Sequence, residues 1–209
     1  MKITKLSHSC LLVETPTNVA LFDPGMMSEP FIDIDAMTRL DEIFITHQHG
    51  DHFMVSLVQK LYRKFPRVVV TAPADVVALL KEAGVPATSD EHEGVTFFDA
   101  PHETVEPLFV TPAQLGYHYA GQLTHPGDSH SFNETMPVLA LPITAPWGAT
   151  VRAVNLALQL KPTHVVPIHD WHWSDDARKL MYQGLSEAFG KEGIMFHAIE
   201  SGEPFQVDV

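Results

Sequence analysis

The chain has 209 residues, of which 45% are hydrophobic, so it is long enough to bury a core and predicts a single domain over residues 1–209. Its 26 acidic and 13 basic side chains give a net charge of −13, which repels nucleic-acid phosphates and argues against a nucleic-acid partner. No apolar run reaches the roughly 18 residues that a membrane span needs. No long apolar segment follows the first lysines, so we expect a cytoplasmic protein.

The first half of the chain predicts strands that alternate with helices. Short apolar and β-branched runs predict strands at 3–6, 10–14, 19–22, 42–46 and 67–71, with a loop at 26–35. Between the last two strands, apolar residues at helical spacing predict a helix that begins near Val55 and ends near Phe65. Pro73 suits the first turn of a second helix, and Gly84 suits its C-terminal cap.

The second half repeats this alternation. Strands are predicted at 95–98, 115–120, 122–125, 138–142, 163–168, 194–198 and 205–209. Residues 103–112 are expected to be extended, and residues 143–148 to form a loop. Helical spacing at Val151, Val154 and Leu158 predicts a helix, and Ser174 suits the N-cap of another that ends at Gly190.

Four side chains able to bind a metal fall within six residues, directly after the predicted strand at 42–46. These side chains are His47, His49, Asp51 and His52. Side chains alternate along an extended chain, so His47 and His49 project to one side, whereas the other two fall where the helix begins. Imidazole and carboxylate together favour zinc, iron or manganese over calcium. The string therefore predicts a metal site on a strand-to-helix turn, with two adjacent ions favoured over one.

This His-x-His-x-Asp-His string resembles the signature of the metallo-β-lactamase superfamily. Other parts of that pattern follow in the same order along nearly the whole chain: Asp23 in Phe22-Asp23-Pro24-Gly25, His102, Asp128 and His169. The opening residues, with His8 between two serines, are similar to the branch of predicted metal-dependent hydrolases that includes ascorbate-phosphate lactonases. In that branch a glycine usually stands where this chain has Ser7.

The resemblance implies an α/β (α+β) fold: a four-layer αββα sandwich of two mixed β-sheets with flanking helices. It also implies two divalent metal ions, with zinc favoured and manganese or iron as alternatives. The first ion would be held by His47, His49 and His102, the second by Asp51, His52 and His169, and Asp128 would bridge both. Asp51, Asp128 and His169 are the candidate catalytic residues. Asp23 is expected to orient ligand imidazoles through hydrogen bonds.

The function that the resemblance implies is a dinuclear metal-dependent hydrolase. A metal-bridging hydroxide would attack an ester, lactone or phosphoester of a small molecule. The alternatives are a non-catalytic metal-binding protein and a redox protein with a di-iron site on the same scaffold. Members of the di-iron type usually carry glutamate at the position of His49, so histidine there argues against them.

Four aromatic side chains and His8 are candidates for contact with substrate. His8 matches a family position close to the metal pocket. His130, Trp147, Trp171 and His172 come shortly after proposed ligands or lie on the loop at 143–148, and His172 could also supplement a ligand. A small-molecule substrate is the expected partner, and a homo-oligomer is left open.

Overall fold

The computed structural model describes residues 1–208, so position 209, the end of the predicted last strand, lies outside the described residues. Contacts divide the described chain into two compact units. Unit 1 comprises residues 1–91, 112–115 and 201–208, and unit 2 comprises residues 92–111 and 116–200. The assignment of the whole chain to one domain stays a prediction.

Unit 1 contains one mixed sheet of six strands and two α-helices within its described residues. In chain order the elements are β1 (Lys2–Lys5), β2 (Leu11–Glu14), β3 (Val19–Phe22), a 3₁₀ helix (Glu29–Phe31), β4 (Glu42–Phe44), α1 (Val55–Lys64), β5 (Val69–Thr71), α2 (Ala74–Glu82) and β12 (Pro204–Gln206). The sheet order is β12-β1-β2-β3-β4-β5, with antiparallel pairs up to β3 and parallel pairs from β3 to β5.

Unit 2 contains a second mixed sheet of six strands, again with two α-helices among its described residues. The elements are β6 (Val95–Phe98), β7 (Gly116–Tyr119), β8 (Leu123–His125), β9 (Val138–Pro142), α3 (Thr150–Leu160), β10 (His164–Ile168), α4 (Asp175–Gly190) and β11 (Met195–Phe196). The sheet order is β11-β10-β9-β8-β7-β6, in which the pairs from β11 to β8 are parallel and the last two are antiparallel.

Each unit packs its helices on its sheet through an apolar face. In unit 1, Leu57 and Leu61 of α1 share a buried cluster with Ile43 of β4. In unit 2, Phe189 of α4 joins Leu139 of β9 in a separate cluster. Complete burial of such a side chain contributes roughly 1.5–3 kcal/mol, so these cores hold the strand ends that carry the polar residues.

The predicted elements are found, with differences at their ends. Ser174 is confirmed as the N-cap of α4, because its hydroxyl accepts a hydrogen bond from the amide of Ala177 at 3.3 Å. The expectation that residues 103–112 are extended is wrong: the chain turns back there, and the amide of Leu108 donates to the carbonyl of Val105. The predicted loop at 26–35 contains the short 3₁₀ helix, in which Pro30 fits the first turn. No helix in residues 1–208 is long and apolar enough to cross a membrane.

A histidine pair at the edge of the second sheet makes the stability of unit 2 depend on pH. Nδ1 of His164, at the start of β10, lies 3.1 Å from Nε2 of His197, and the two rings stack. Burial, and secondarily the neighbouring His164, lowers the pKa of His197 to about 4. In the unfolded chain the His197 ring has its ordinary pKa of 6.5. Between pH 4 and pH 6.5 the unfolded chain therefore binds more protons at this ring than the folded chain does.

We predict that this contribution to stability is present above about pH 6.5 and is lost as the pH falls towards 4. The loss should amount to about 1–2 kcal/mol, less than the full shift implies, because solvent screens a partly exposed ring. Urea denaturation at pH 7 and pH 4.5 should show this loss in the wild type and a smaller one in His197→Asn. His92→Asn is the control and should behave as the wild type; an equal loss in all three proteins would contradict the prediction.

Candidate metal centre

In unit 1, the turn after β4 carries four of the predicted ligands. His47 and His52 are fully buried, and their ring centroids lie 4.1 Å apart. The His49 ring meets the His47 ring edge-on at 4.8 Å. Amides of His52 and Phe53 both donate to the carbonyl of His49, which closes the turn before α1 begins. The turn therefore gathers three imidazoles that the extended chain would have separated.

Gly25 lies directly against this turn. A Cβ atom at that position would come within 1.9 Å of the backbone oxygen of Asp51, a distance that no side chain can occupy. The amide of Met26 also donates to the carbonyl of Gly50 at 2.8 Å. The backbone at Gly25 and Met26, shortly after β3, thus packs directly against the histidine turn.

Asp23 is a fully buried carboxylate that organises the histidines of this turn. It accepts hydrogen bonds from the amide and the hydroxyl of Thr46, at 2.7 and 2.9 Å, and from Nδ1 of His52 at 2.8 Å. Because the Thr46 hydroxyl donates to Asp23, it is left to accept from Nδ1 of His47, 3.0 Å away. Both imidazoles are thereby held with the proton on Nδ1 and the lone pair on Nε2, the form that binds a metal.

The turn between β1 and β2 contacts two of the proposed ligands of unit 1, Asp51 and His52. Ser7 and His8 adopt left-handed backbone conformations, with φ of 74° and 49°, which cost energy for residues other than glycine. This places Nε2 of the buried His8 3.1 Å from Oδ2 of Asp51, and the Ser9 hydroxyl 3.4 Å from Nε2 of His52. The His8 imidazole therefore contacts a proposed ligand; its contact with substrate stays a prediction.

In unit 2, the three predicted ligands follow strands that run in the same direction. His102 comes after β6, Asp128 after β8 and His169 after β10. Strands of one direction place their carboxyl ends at the same edge of a sheet, so these side chains converge. Oδ2 of Asp128 lies 3.1 Å from Nε2 of His169 and 3.6 Å from Nε2 of His102. All three residues are buried.

Backbone carbonyls fix both histidines of this cluster. Nδ1 of His102 donates to the carbonyl of Glu103 at 2.5 Å, and Nδ1 of His169 donates to the carbonyl of Thr144 at 2.8 Å. A carbonyl oxygen only accepts, so Nδ1 carries the proton in both rings and Nε2 carries the lone pair. His169 also has a left-handed backbone, with φ of 61°, which points to strain retained at this position.

Two of the proposed substrate residues in unit 2 lie near Asp128: Trp147 contacts it, and His130 packs against Trp147. The indole N–H of Trp147 donates to Oδ2 of Asp128 at 3.1 Å. The buried His130 ring lies edge-on to Trp147 and donates from Nε2 to the carbonyl of Pro142 at 2.6 Å. Burial lowers the pKa of His130, although that hydrogen bond opposes the shift, so the ring stays neutral to a lower pH than an ordinary histidine. His172 is exposed, with its ring edge-on to His169.

Glu103 is a residue that the sequence did not single out, although it joins two ligand-bearing loops. Its carboxylate accepts hydrogen bonds from the His130 amide, the Ser131 hydroxyl and the Arg152 guanidinium, at 3.0, 2.7 and 2.8 Å. Its amide donates to the carbonyl of Asp128 at 2.8 Å. Burial would raise the pKa of Glu103, but these hydrogen bonds and the Arg152 charge outweigh it and lower the pKa. The chain has 26 acidic residues, and only its position next to His102 distinguishes Glu103 from the others in the sequence.

The family model described as the Beta-lactamase superfamily domain matches residues 2–169, most of the chain. The chain belongs to the metallo-β-lactamase superfamily. It is 32% identical to Protein Rv0786c of Mycobacterium tuberculosis, over 90% of this chain and 92% of that protein. It is also 33% identical to a UPF0173 metal-dependent hydrolase of Brucella canis, over 64% of this chain and 65% of that protein.

Solved structures with low sequence identity to the chain share its fold. Igni18, a metallo hydrolase from Ignicoccus hospitalis, matches with a TM-score of 0.73 at 20% identity, over 99% of each chain. The diiron β-hydroxylase CmlA from Streptomyces venezuelae matches with a TM-score of 0.66 at 14% identity, over 99% of this chain and 54% of that one. The metallo-β-lactamase-like fold class, with two mixed sheets and four α-helices in residues 1–208, is therefore confirmed.

We predict that Glu103→Ala weakens the contact between the loop that carries His102 and the loop that carries Asp128. Loss of three hydrogen bonds, one of them to a guanidinium, should lower the free energy of unfolding by about 2–3 kcal/mol. Denaturation in urea measures this loss. Glu106→Ala is the matched control: it removes an exposed glutamate that bonds to Thr111 in the same loop, and it should lower the stability much less than Glu103→Ala does. Equal losses would contradict the role of Glu103.

Proposed function

We propose that the protein is a metal-dependent hydrolase that holds two divalent ions and cleaves a small-molecule ester, lactone or phosphoester. The observation that carries the proposal is the cluster of unit 2, where one carboxylate oxygen of Asp128 lies within 3.6 Å of two imidazole Nε2 atoms. Both imidazoles have their other nitrogen bound to a carbonyl, and this arrangement is typical of metal-binding histidines.

The donor set suits zinc-like ions in number and in chemistry. In the assignment that the family implies, His47, His49 and His102 would hold one ion, Asp51, His52 and His169 would hold the other, and Asp128 would contribute to both. Five neutral imidazoles and two carboxylates leave two divalent ions with a net positive charge. Such a site favours an anionic nucleophile and stabilises negative charge that develops on the substrate. Zinc is the favoured ion because imidazole nitrogen and carboxylate oxygen are among its ordinary ligands, and manganese and iron are alternatives that accept the same donors.

When bound, the ions would supply an activated water as the nucleophile and a Lewis acid for the substrate oxygen. The chain's own residues keep this chemistry in place. Asp23 and Thr46 hold His47 and His52 in one protonation form, and His8 restrains the carboxylate of Asp51. Asp51, Asp128 and His169 are the proposed catalytic residues.

The names of relatives support hydrolysis as the reaction class. The Brucella canis protein is called a metal-dependent hydrolase, and Igni18 a metallo hydrolase. A redox protein with two iron ions is the second candidate, since CmlA shares the fold. A visible charge-transfer absorption in the purified protein, without turnover of any ester, would favour that candidate. A protein that binds two ions and hydrolyses nothing would favour a purely metal-binding role.

The first prediction from this proposal is a stoichiometry of two metal ions per chain. Seven side chains provide enough donors for two ions and too many for one four-coordinate zinc ion. Elemental analysis after reconstitution with zinc and removal of excess ion should give close to two. A reproducible value near zero would overturn the proposal, and a value of one would overturn its dinuclear form.

The second prediction separates ligands from other histidines. His102→Ala should weaken one ion and leave the other mostly bound, His169→Ala should do the reverse, and Asp128→Asn should weaken both. Each loss should exceed the roughly 10- to 100-fold that removal of an outer hydrogen-bonding partner costs. Competition with a chromophoric chelator measures the two affinities.

His118→Ala is the matched control for these variants. His118 is a buried histidine of β7 that stacks on Phe98 and lies 2.9 Å from the hydroxyl of Thr124. Its loss should lower stability, yet the folded variant should keep both ions. If His118→Ala lost an ion while His102→Ala kept two, the ligand assignment in unit 2 would be wrong.

A further inference from the structure

Five aromatic rings of unit 2 form a continuous row, and the proposed ligand His169 is the middle ring. In order they are Trp171, His172, His169, Trp147 and His130, and this set is called the aromatic row below. Neighbouring ring centroids are 5.3, 5.8, 5.5 and 5.1 Å apart, and each pair meets edge to face. This geometry is the one that aromatic pairs favour, so the rings support one another.

The inner part of the aromatic row is rigidly held. Trp147 donates its N–H to Asp128, His169 donates to the carbonyl of Thr144, and His130 donates to that of Pro142. A Cβ on Gly148 would lie 3.0 Å from the His130 ring, so the backbone packs closely against it. These contacts fix the orientation of the three rings.

Exposure increases along the row away from His169 and towards Trp171. The His169 and Trp147 rings are buried and half-buried, whereas His172 is exposed and Trp171 keeps 49% of its surface in contact with solvent. A tryptophan this exposed leaves a large apolar area in water, and exposed aromatic area beside a polar cluster is typical of a ligand site. The row thus forms an aromatic path from solvent to the proposed metal ligand.

The outer end of the row has an anchored backbone. Trp173 packs on the core of unit 2, and the carboxylate of the buried Asp170 accepts a hydrogen bond from the Tyr182 hydroxyl. The amide of Trp173 donates to the carbonyl of Asp170 at 3.2 Å. Trp171 and His172 are therefore displayed by a segment fixed on both sides, and their exposure is not that of a loose loop.

The two chain segments that carry the row hold no cationic side chain for an anionic substituent. Residues 143–148 contain no charged side chain, and residues 169–174 contain only Asp170, which is buried. The nearest arginines along the chain have acidic partners: Arg152 bonds to Glu103, and Arg178 bonds to Asp175 and Glu200. A phosphate group is usually bound by arginine or lysine, and neither segment that carries the row offers one.

We propose that the aromatic row binds a flat aromatic substituent of a neutral carboxylic ester or lactone and directs its carbonyl towards His169 and Asp128. The reaction adds water across the acyl–oxygen bond: the acyl carbon gains the water oxygen, and the departing alkoxide takes a proton. This inference rests on the proposed hydrolase function for its substrate. The binding of an aromatic group by Trp147, His172 and Trp171 does not depend on turnover, so the two can be tested separately.

The binding test uses 2-naphthol, a neutral aromatic probe, and the zinc-reconstituted protein. A ligand-observed NMR titration should give saturable binding that Trp171→Ala and His172→Ala each weaken at least fivefold. Trp171→Phe should restore most of the affinity, because the flat ring is retained. Leu180→Ala, which removes an exposed apolar side chain of α4 in the same unit, should bind as the wild type. No binding, or equal affinity in Trp171→Ala and the wild type, overturns the proposal.

The substrate test compares methyl phenylacetate with methyl cyclohexylacetate, which share a leaving group and differ in the flatness of the ring. The wild type should show a KM at least fivefold lower for the phenyl ester, and Trp171→Ala should abolish this difference. A lower KM for the anionic diester bis(p-nitrophenyl) phosphate than for either ester overturns the choice of a neutral substrate. Row-dependent naphthol binding without hydrolysis of any ester would uphold the aromatic site and refute the proposed hydrolase function.

Discussion

The hydrogen bond from an imidazole Nδ1 to a fixed acceptor is the interaction on which both ligand clusters depend. His52 is held in this way by Asp23, His102 by the carbonyl of Glu103, and His169 by the carbonyl of Thr144. Each bond sets the protonated nitrogen and the ring direction together, so Nε2 is ready to bind a metal before any ion arrives. Asp23 directly follows β3 and Thr144 lies two residues after β9, where the sheets hold the backbone. Within each unit, formation of the sheet therefore brings residues that are distant in sequence into one candidate ligand cluster.

The buried polar residues that form these clusters lower the stability of the fold, and the apolar cores compensate for that loss. Asp23, His8 and His169 are buried polar residues with left-handed backbones, and strain of this kind costs of order 1–3 kcal/mol per residue. Buried polar groups add a desolvation cost that their hydrogen bonds only partly recover. The apolar faces of α1 and α4 lie on the same sheets and supply the opposing free energy. The strained residues cluster beside the proposed ligands, where a relaxed backbone would turn the side chains away.

The sequence predicted the strands, the helices and the superfamily, because apolar periodicity and the histidine string are local signals. His47 to His52 lie within one short turn, and each distant candidate ligand lies within four residues after the end of a predicted strand. Glu103 and Thr46 were not predicted, since their roles come from partners brought near by folding. The turn within residues 103–112 was also missed, because its prolines suggested extended chain while the reversal depends on contacts such as Val105 to Leu108. The cytoplasmic location and the single domain remain predictions.

The close approach of Gly25 to Asp51 divides the chain into a part that tolerates little change and a part that can vary. Up to Met26, whose amide still bonds to Gly50, any substitution that adds bulk or shifts the backbone would be transmitted to the histidine turn. Ser28 extends this contact, because it is buried and its amide and hydroxyl both donate to the carbonyl of Gly25, and Ile32 packs in the core of unit 1. The exposed positions of the loop at residues 27–35 are 30, 31, 33 and 35. Mutational tolerance should therefore rise at these four positions and stay low at Ser28 and Ile32.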